Sequence, residues 1–316
     1  MAVILLSDIV MSLLQAVLIF LLAPLIVGLI RKVKAYLQSR RGPPLLQPYY
    51  DLAKLFKREA IRSEQTSWVF AMTPYVCVSA VFVAALLVPF LSTAGIGFVG
   101  DVIVVVYLLA MMRFFMALAA LDAGSSFGGM ASSREMMVAS IVEPSILLSI
   151  FAMSLITGTT NLGSMASILA TNGADMIRPA LFLAAASFFI SSLAENARVP
   201  VDNPSTHLEL TMIHEGMLLE YSGRDLALME TASMAKLLVF FCLLANVFFP
   251  WGIATELTPA ALLLGLVAIV VKVLLLAVLI GVVESATAKL RLFRLPNLLT
   301  ASFTLALLGV MSYYIL

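Results

Sequence analysis

The sequence predicts an all-α integral membrane protein: eight transmembrane helices, both termini outside, and an amphipathic helix on the inner surface. Three observations carry this. Of the 316 residues, 62% are hydrophobic and 12% charged, against about 45–50% and 25% in soluble domains; mean hydropathy is +1.08. The apolar runs are continuous rather than alternating, and of the two structures that satisfy their backbone in lipid, helices and closed barrels, such runs select helices. Lys and Arg fall almost wholly on alternate loops, as the positive-inside rule requires. The composition excludes a soluble globular enzyme, a disordered chain and a disulfide-rich secreted scaffold. A net charge of +1 is too balanced for nucleic-acid binding through phosphate neutralisation.

A span needs about 20 mostly apolar residues. Eight windows qualify: 9–30, 72–92, 102–121, 136–158, 178–195, 232–254, 260–284 and 298–316. Residues 1–8 carry no Lys or Arg and no A-x-A site follows, so the first window is a retained helix rather than a signal peptide. No internal repeat is evident. With loop 31–71 inside, all but three of the 19 Lys and Arg collect on the inner side, Lys236 among them. Arg178 alone falls outside, and Arg113 and Lys272 lie within spans. Most acids are also inner, so partners and chemistry belong there. The expected organisation is a single integral membrane domain, 1–316, with inner loops 31–71 and 195–231 as its partner-facing surface. Cys77 and Cys242 each lie in an apolar run and no CxxC occurs. No metal site and no cofactor is therefore expected in this chain.

In the first inner loop, Pro43, Pro44 and Pro48 break the chain, and then Leu45, Tyr49, Leu52 and Phe56 recur at spacings of 4, 3 and 4. That places them on one face of a helix. Such a helix is either an interfacial lipid anchor or the rim of a cavity shared with a partner; amphipathicity alone fits both.

Ionisable groups inside the bilayer are costly and usually functional. Arg113 and Glu143 each lie roughly 10–12 Å from the inner ends of the third and fourth spans at about 1.5 Å per residue, so they pair if those helices touch. Lys272 is near the middle of the seventh span, and Glu195 and Glu284 mark inner ends of the fifth and seventh. Pro144 follows Glu143 and removes a helix donor, so a carboxylate and a kink coincide. A desolvated carboxylate suits reversible proton transfer. The plainer alternative is a structural Arg–Glu pair that locks two helices.

Residues 195–230 carry seven acids against Arg198 and Arg224. Pro200 and Pro204 keep the start of this loop irregular. His207 and His214 are two helical turns apart, a spacing that permits a metal site, but HEGML lacks the second His of HExxH. The carboxylates beneath the membrane either dock a partner or collect protons for Glu143. Gly124, Gly128 and Gly129 lie in a short inner loop, where flexibility or close packing accounts for them.

Four segments carry a resemblance: SRRGPPLLQPYYDLAKLFKRE (39–59), ASSREMMVASIVEP (131–144), ENARVPVD (195–202) and LLEYSG (218–223). Together, in this order, they resemble the respiratory complex I subunit 1 family, and more closely its branch in energy-converting membrane-bound nickel–iron hydrogenases of the hydrogenase-4 and formate hydrogenlyase type. The resemblance implies a multi-pass subunit of a prokaryotic cytoplasmic membrane. It would join a peripheral electron-transfer arm to antiporter-like proton-pumping subunits, without being catalytic itself. Hydrogenase-like large and small subunits and iron–sulfur subunits would be the partners and would hold the iron–sulfur and nickel–iron centres. It puts Glu143 at the family's intramembrane Glu, and Glu195, Arg198 and Asp202 on its ENxRxPFD motif. Glu209 and Glu220 fall on acids of the following loop.

The proton path so expected comprises Glu143, Glu195, Asp202, Glu209, Glu215, Glu220, Glu284, Arg113, Lys272 and His207. The expected arm-facing residues are Arg40, Arg41, Asp51, Lys54, Arg134, Glu135, Arg198, Tyr221 and Arg224. Two departures matter. Pro43 runs almost straight into LLQP, shortening the loop of the quinone-linked branch and favouring the hydrogenase-like branch over a quinone site. Ser205 and His207 replace two of the usual alternating acids, which makes His207 a candidate relay in place of a carboxylate. A quinone-lining subunit and a free-standing transporter are the competing readings; the bare outer face argues for one-sided partners and against the transporter.

Overall fold

A computed structural model describes residues 2–93, 101–172, 178–203, 211–255 and 258–315, with side chains from residue 8. His207 and Glu209 lie outside the described residues. The described residues contain no strand beyond two isolated bridges, Ser92 with Ala254 and Asp101 with Asn161.

Eleven α-helices follow in order: α1 (Ala2–Leu37), α2 (Gln47–Phe56), α3 (Trp68–Leu87), α4 (Val102–Asp122), α5 (Ser126–Thr157), α6 (Leu162–Asn172), α7 (Pro179–Glu195), α8 (His214–Leu218), α9 (Gly223–Leu243), α10 (Pro259–Ala286) and α11 (Leu295–Ile315). Among the described residues, seven helical segments, those of α1, α3, α4, α5, α9, α10 and α11, are long and apolar enough to cross a membrane. α7, at 17 residues, sits at the lower limit for crossing. All eight expected windows therefore fall on helices. Several helices overrun their windows: α5 starts ten residues before 136 and α9 nine before 232. A helix needs apolar side chains to face lipid, not to propagate, so it continues into the polar end of the bundle.

α6 was not expected. Leu162, Met165, Ala166 and Leu169 form its buried stripe, at the spacing of an amphipathic helix. It packs on α5 and on a π-helical turn, Leu244–Phe248, that interrupts the end of α9.

Local chemistry fixes the ends. Asp101 accepts from Ile103 N (2.9 Å) to start α4, and Ser125 Oγ accepts from Gly128 N (3.1 Å) to start α5. Such caps satisfy amides that have no partner within the helix. Asp122, ending α4, accepts from Ser67 N (2.8 Å) and Phe70 N (3.3 Å) at the start of α3. α7 and α11 pack through small polar residues: Ser191 Oγ lies 2.8 Å from Ser302 Oγ, and Ser187 Oγ donates to Ser302 O (2.7 Å). Small residues and interhelical hydrogen bonds are how helices associate where lipid supplies no hydrophobic drive.

α2 corrects the amphipathic expectation in part. Pro48 and Leu52 are buried and the Tyr49 hydroxyl donates to Leu21 O, but Phe56 is exposed and Leu45 precedes the helix. α2 packs on α1 and α9. The approach to α1 requires Gly28, where a Cβ would stand 2.2 Å from Leu45 O.

Candidate functional site: a buried charge cluster beside a charged cavity

The helix ends bearing most of the charge meet at one end of the bundle. There α4, α5, α7 and α9 bring five ionisable side chains together. Arg113 of α4 is the hub. Its Nη1 donates to Glu143 Oε1 (2.7 Å), its Nε lies 3.5 Å from Glu135 Oε1, and its Nη2 contacts Glu195 Oε2. Glu195 Oε1 also receives Lys236 Nζ at 2.9 Å. Arg113, Glu135, Glu195 and Lys236 are all buried, whereas the Glu143 side chain is 37% exposed. Glu135 and Glu143 stand eight residues apart, roughly 12 Å along α5, and Arg113 reaches both.

The expected Arg113–Glu143 pair therefore exists, but as one edge of a larger network. Three carboxylates face two cations. Counted by formal charge, the cluster carries one carboxylate more than its cations. Beside Arg113, Glu143 and Glu195 lies a cavity of about 10 Å³, walled by Val106, Leu109, Phe240 and Leu243 among others. That is room for about one water.

A second, larger cavity of about 600 Å³ opens at the charged end. Arg31, Lys34, Arg40, Arg41 and Arg198 line it with Asp202, His214, Glu215, Glu230, Ser233 and Glu284. Glu284 is held by Lys34 (3.2 Å) and Arg198 (3.4 Å). Asp202 Oδ1 receives Lys289 Nζ at 2.6 Å, and its other oxygen accepts the backbone N–H groups of Ile213 and His214, both at 3.1 Å. Burial, then the negative charges of Glu230 and Asp202, pushes the Glu215 carboxyl up to about 7, against the pull of Arg31 and Arg198.

Several expectations are corrected. Glu135, expected on the arm-facing surface, belongs to the buried cluster. Tyr221, expected there too, is buried: it stacks on Phe70 at 4.0 Å and its hydroxyl donates to Phe70 O (3.0 Å). Lys272 is remote from the cluster and donates to Ala245 O (3.1 Å) and Asn246 Oδ1 (3.3 Å) at the π-helical turn. Lys236, counted with the loops, points into the bundle; a lysine four residues inside an apolar window was the signal for it. Arg134 donates to Met212 O (3.0 Å), tying α5 to the segment before α8. Asp51, Lys54 and Arg224, expected to face the arm, and Glu220, expected on the proton path, are exposed, and Arg31 approaches Asp51 only loosely, at 3.9 Å. Among the described residues no group of three or more His, Cys, Asp and Glu is placed to hold a metal ion.

The LLEYSG segment proves to be a clamp. Ser222 Oγ donates to Ile61 O (2.9 Å) and accepts from Ile61 N (2.9 Å). Arg62 grips Asp225 through two bonds, 2.7 and 3.1 Å. Gly223 has φ +51, and a Cβ there would stand 2.2 Å from Glu59 O. This fixes the segment after α2 against the start of α9.

Comparison with known proteins places these features in a family. The NADH dehydrogenase family model matches residues 9–314. The chain is 36% identical to hydrogenase-4 component C of Escherichia coli over 95% of its length and 94% of that protein. It is 35% identical to formate hydrogenlyase subunit 4 of the same organism, over 95% and 97% respectively. An NADH-quinone oxidoreductase subunit of Pelagibacter ubique is 28% identical, over 89% and 87%. In fold, a chain of the archaeal membrane-bound sulfane sulfur reductase superposes with TM-score 0.81 at 23% identity, covering 96% of this chain and 99% of that one.

Proposed function

The chain belongs to the NADH dehydrogenase family, the complex I subunit 1 family, and from that premise we propose that it is the membrane subunit of an energy-converting, hydrogenase-like complex. It anchors a peripheral electron-transfer arm and carries part of a proton path. The observation that supports this most is the five-charge cluster of Arg113, Glu135, Glu143, Glu195 and Lys236, with one carboxylate in excess of its cations. Holding and releasing one proton moves it between charge-balanced and charge-unbalanced states, and the partly exposed Glu143 gives it an outlet at the surface of this chain. Electron transfer in the arm changes the field or shape at the charged end, the cluster changes its proton occupancy, and Glu143 hands the proton laterally to antiporter-like subunits. Hydrogenase-like large and small subunits and iron–sulfur subunits dock on the loops around Arg40, Arg41, Asp51, Lys54 and Arg224. Their iron–sulfur and nickel–iron centres perform the redox chemistry. The chain acts as one integral membrane domain with both termini outside, in the cytoplasmic membrane of a prokaryote.

The test is Glu143→Gln in the whole complex, with electron transfer and vesicle acidification measured together. Electron transfer without proton translocation supports the reading; unchanged coupling rejects it. The volume of the large cavity, within the roughly 300–1,000 Å³ of small-molecule sites, favours a quinone-site subunit as second reading. Its wall of arginines, lysines and carboxylates suits water and protons better than an apolar ring and tail. Quinone-dependent turnover that an apolar quinone analogue blocks would reverse the preference.

A further inference from the structure

His214 is a titratable group standing between the large cavity and the charge cluster that the path above leaves without a task. It opens α8, where its backbone N–H is anchored on Asp202 (3.1 Å). Its Nε2 lies 3.2 Å from Ser233 Oγ on α9, and both residues line the cavity. Ser233 precedes Lys236 by three residues on α9, so the two share a helix face with about 5–6 Å between Cβ atoms. Lys236 in turn reaches Glu195 at 2.9 Å. The order in space is cavity, His214 with Ser233, Lys236 with Glu195, then Arg113 and Glu143.

Charged groups from several elements act on the imidazole. Asp202 faces it from the preceding loop, Glu135 from α5, Lys236 from α9 and Arg113 from α4, and Glu215 and Glu230 share its cavity. Burial outweighs these opposed charges and lowers the imidazole pKa from 6.5. The resting ring is therefore neutral near pH 7, with one nitrogen a donor and the other an acceptor.

We infer that His214 and Ser233 form the gate through which cavity water exchanges protons with the buried cluster. The inference rests on the proton-path function proposed above and names its entry. One ring nitrogen takes a proton from cavity water while the other releases its proton to the Ser233 hydroxyl. That hydroxyl passes its own proton on to the Glu195 carboxylate, the member of the Lys236–Glu195 pair that can accept it. No net charge stays on the ring, and reorientation of imidazole and hydroxyl resets the gate.

The experiment uses inverted vesicles carrying the whole complex, driven by a reduced viologen dye, with acidification and dye oxidation read together. His214→Gln retains a hydrogen-bonding group beside Ser233 but cannot titrate; it should lower protons moved per electron at least tenfold while dye oxidation stays within twofold. His214→Ala should do the same, and added imidazole, small enough for the cavity, should restore transport. Substituted imidazoles should restore it in order of basicity, which a packing role would not produce. Normal coupling in His214→Gln, or a loss in His214→Ala that no imidazole restores, overturns the gate. Glu143→Gln separates the two claims. If it uncouples and His214→Gln does not, only the gate fails; if it couples normally, the proton-path reading fails and the gate falls with it.

Discussion

The Lys236 ammonium lies 2.9 Å from the Glu195 carboxylate, with both side chains buried between α7 and α9. Buried ion pairs are poor stabilisers in themselves, but removing one partner of such a pair is expensive, about 3–5 kcal/mol. The surplus of carboxylates makes the two removals unequal. Lys236→Met leaves three carboxylates facing Arg113 alone, whereas Glu195→Gln leaves two facing two cations. Lys236→Met should therefore lower the thermal midpoint of the purified complex more than Glu195→Gln, and the double variant should recover part of the loss. Equal losses from the two single variants would mean that the cluster already holds its proton firmly.

The clamp at Gly223 gives a second expectation. Its φ of +51, with Glu59 O only 2.2 Å from where a Cβ would stand, leaves no conformation for alanine without moving backbone. Gly223→Ala should cost about 1–3 kcal/mol from the conformational strain alone, with more from displacing residues 59–61. Arg62→Ala releases the same segment more gently, because the guanidinium is partly exposed. Limited proteolysis reports the difference: cleavage within 57–67 should accelerate in both variants, and most in Gly223→Ala. Protection equal to the parent protein in Gly223→Ala would show that the segment is held by other contacts.

The spans and the Arg113–Glu143 pair were legible in the sequence because each depends on local facts: twenty apolar residues in a row, and equal depth below a charged boundary. Glu135 and Lys236 were not, since both stand near the edge of an apolar window where a charge is free to face water or interior. Only packing of α5 and α9 against α4 and α7 turns them inward. The clamp role of Ser222 and Asp225 was hidden for a related reason: it requires residues 59–62 to lie beside the start of α9, a relation between positions some 160 residues apart. α6 did leave a signal, Leu162, Met165, Ala166 and Leu169, but its 11 residues are too few to read as a span.

Glu215 gives a pH dependence of stability. Its carboxyl ordinarily titrates at 4.5 and is pushed up to about 7 by burial and by Glu230 and Asp202. The folded protein thus holds this proton more tightly than the unfolded chain. Below pH 4.5 both states are protonated and the group is neutral for stability. Between about 4.5 and 7 the unfolded chain ionises first, so the folded state loses ground as pH rises. Above 7 the penalty is constant. Glu215→Gln removes it, so the thermal midpoint of Glu215→Gln minus that of the parent should climb from pH 5 to pH 7 and then level. A difference that is flat or falls across this window would show that Glu215 is solvated or paired.

Lys272 and Asn246 test whether the second intramembrane lysine belongs to the proton path. Asn246 is buried in the π-helical turn and donates to Pro89 O (2.9 Å) and Phe90 O (3.0 Å), the non-helical backbone after α3. Non-helical backbone at membrane depth persists only where its polar groups are satisfied inside the protein, and losing such a donor costs about 1–3 kcal/mol. Lys272 adds its bonds to Ala245 O and Asn246 Oδ1 from a half-buried position, and methionine of similar length fills the same space without a charge to desolvate. Asn246→Ala should therefore destabilise the complex clearly, while Lys272→Met should leave its thermal midpoint nearly unchanged. Because the bonds of Lys272 go to a backbone carbonyl and an amide oxygen, neither of which titrates, Lys272→Met should also retain coupled proton transport within twofold. Uncoupling by Lys272→Met in an intact complex would restore the lysine to the path and require a hydrated link through α9 and α10.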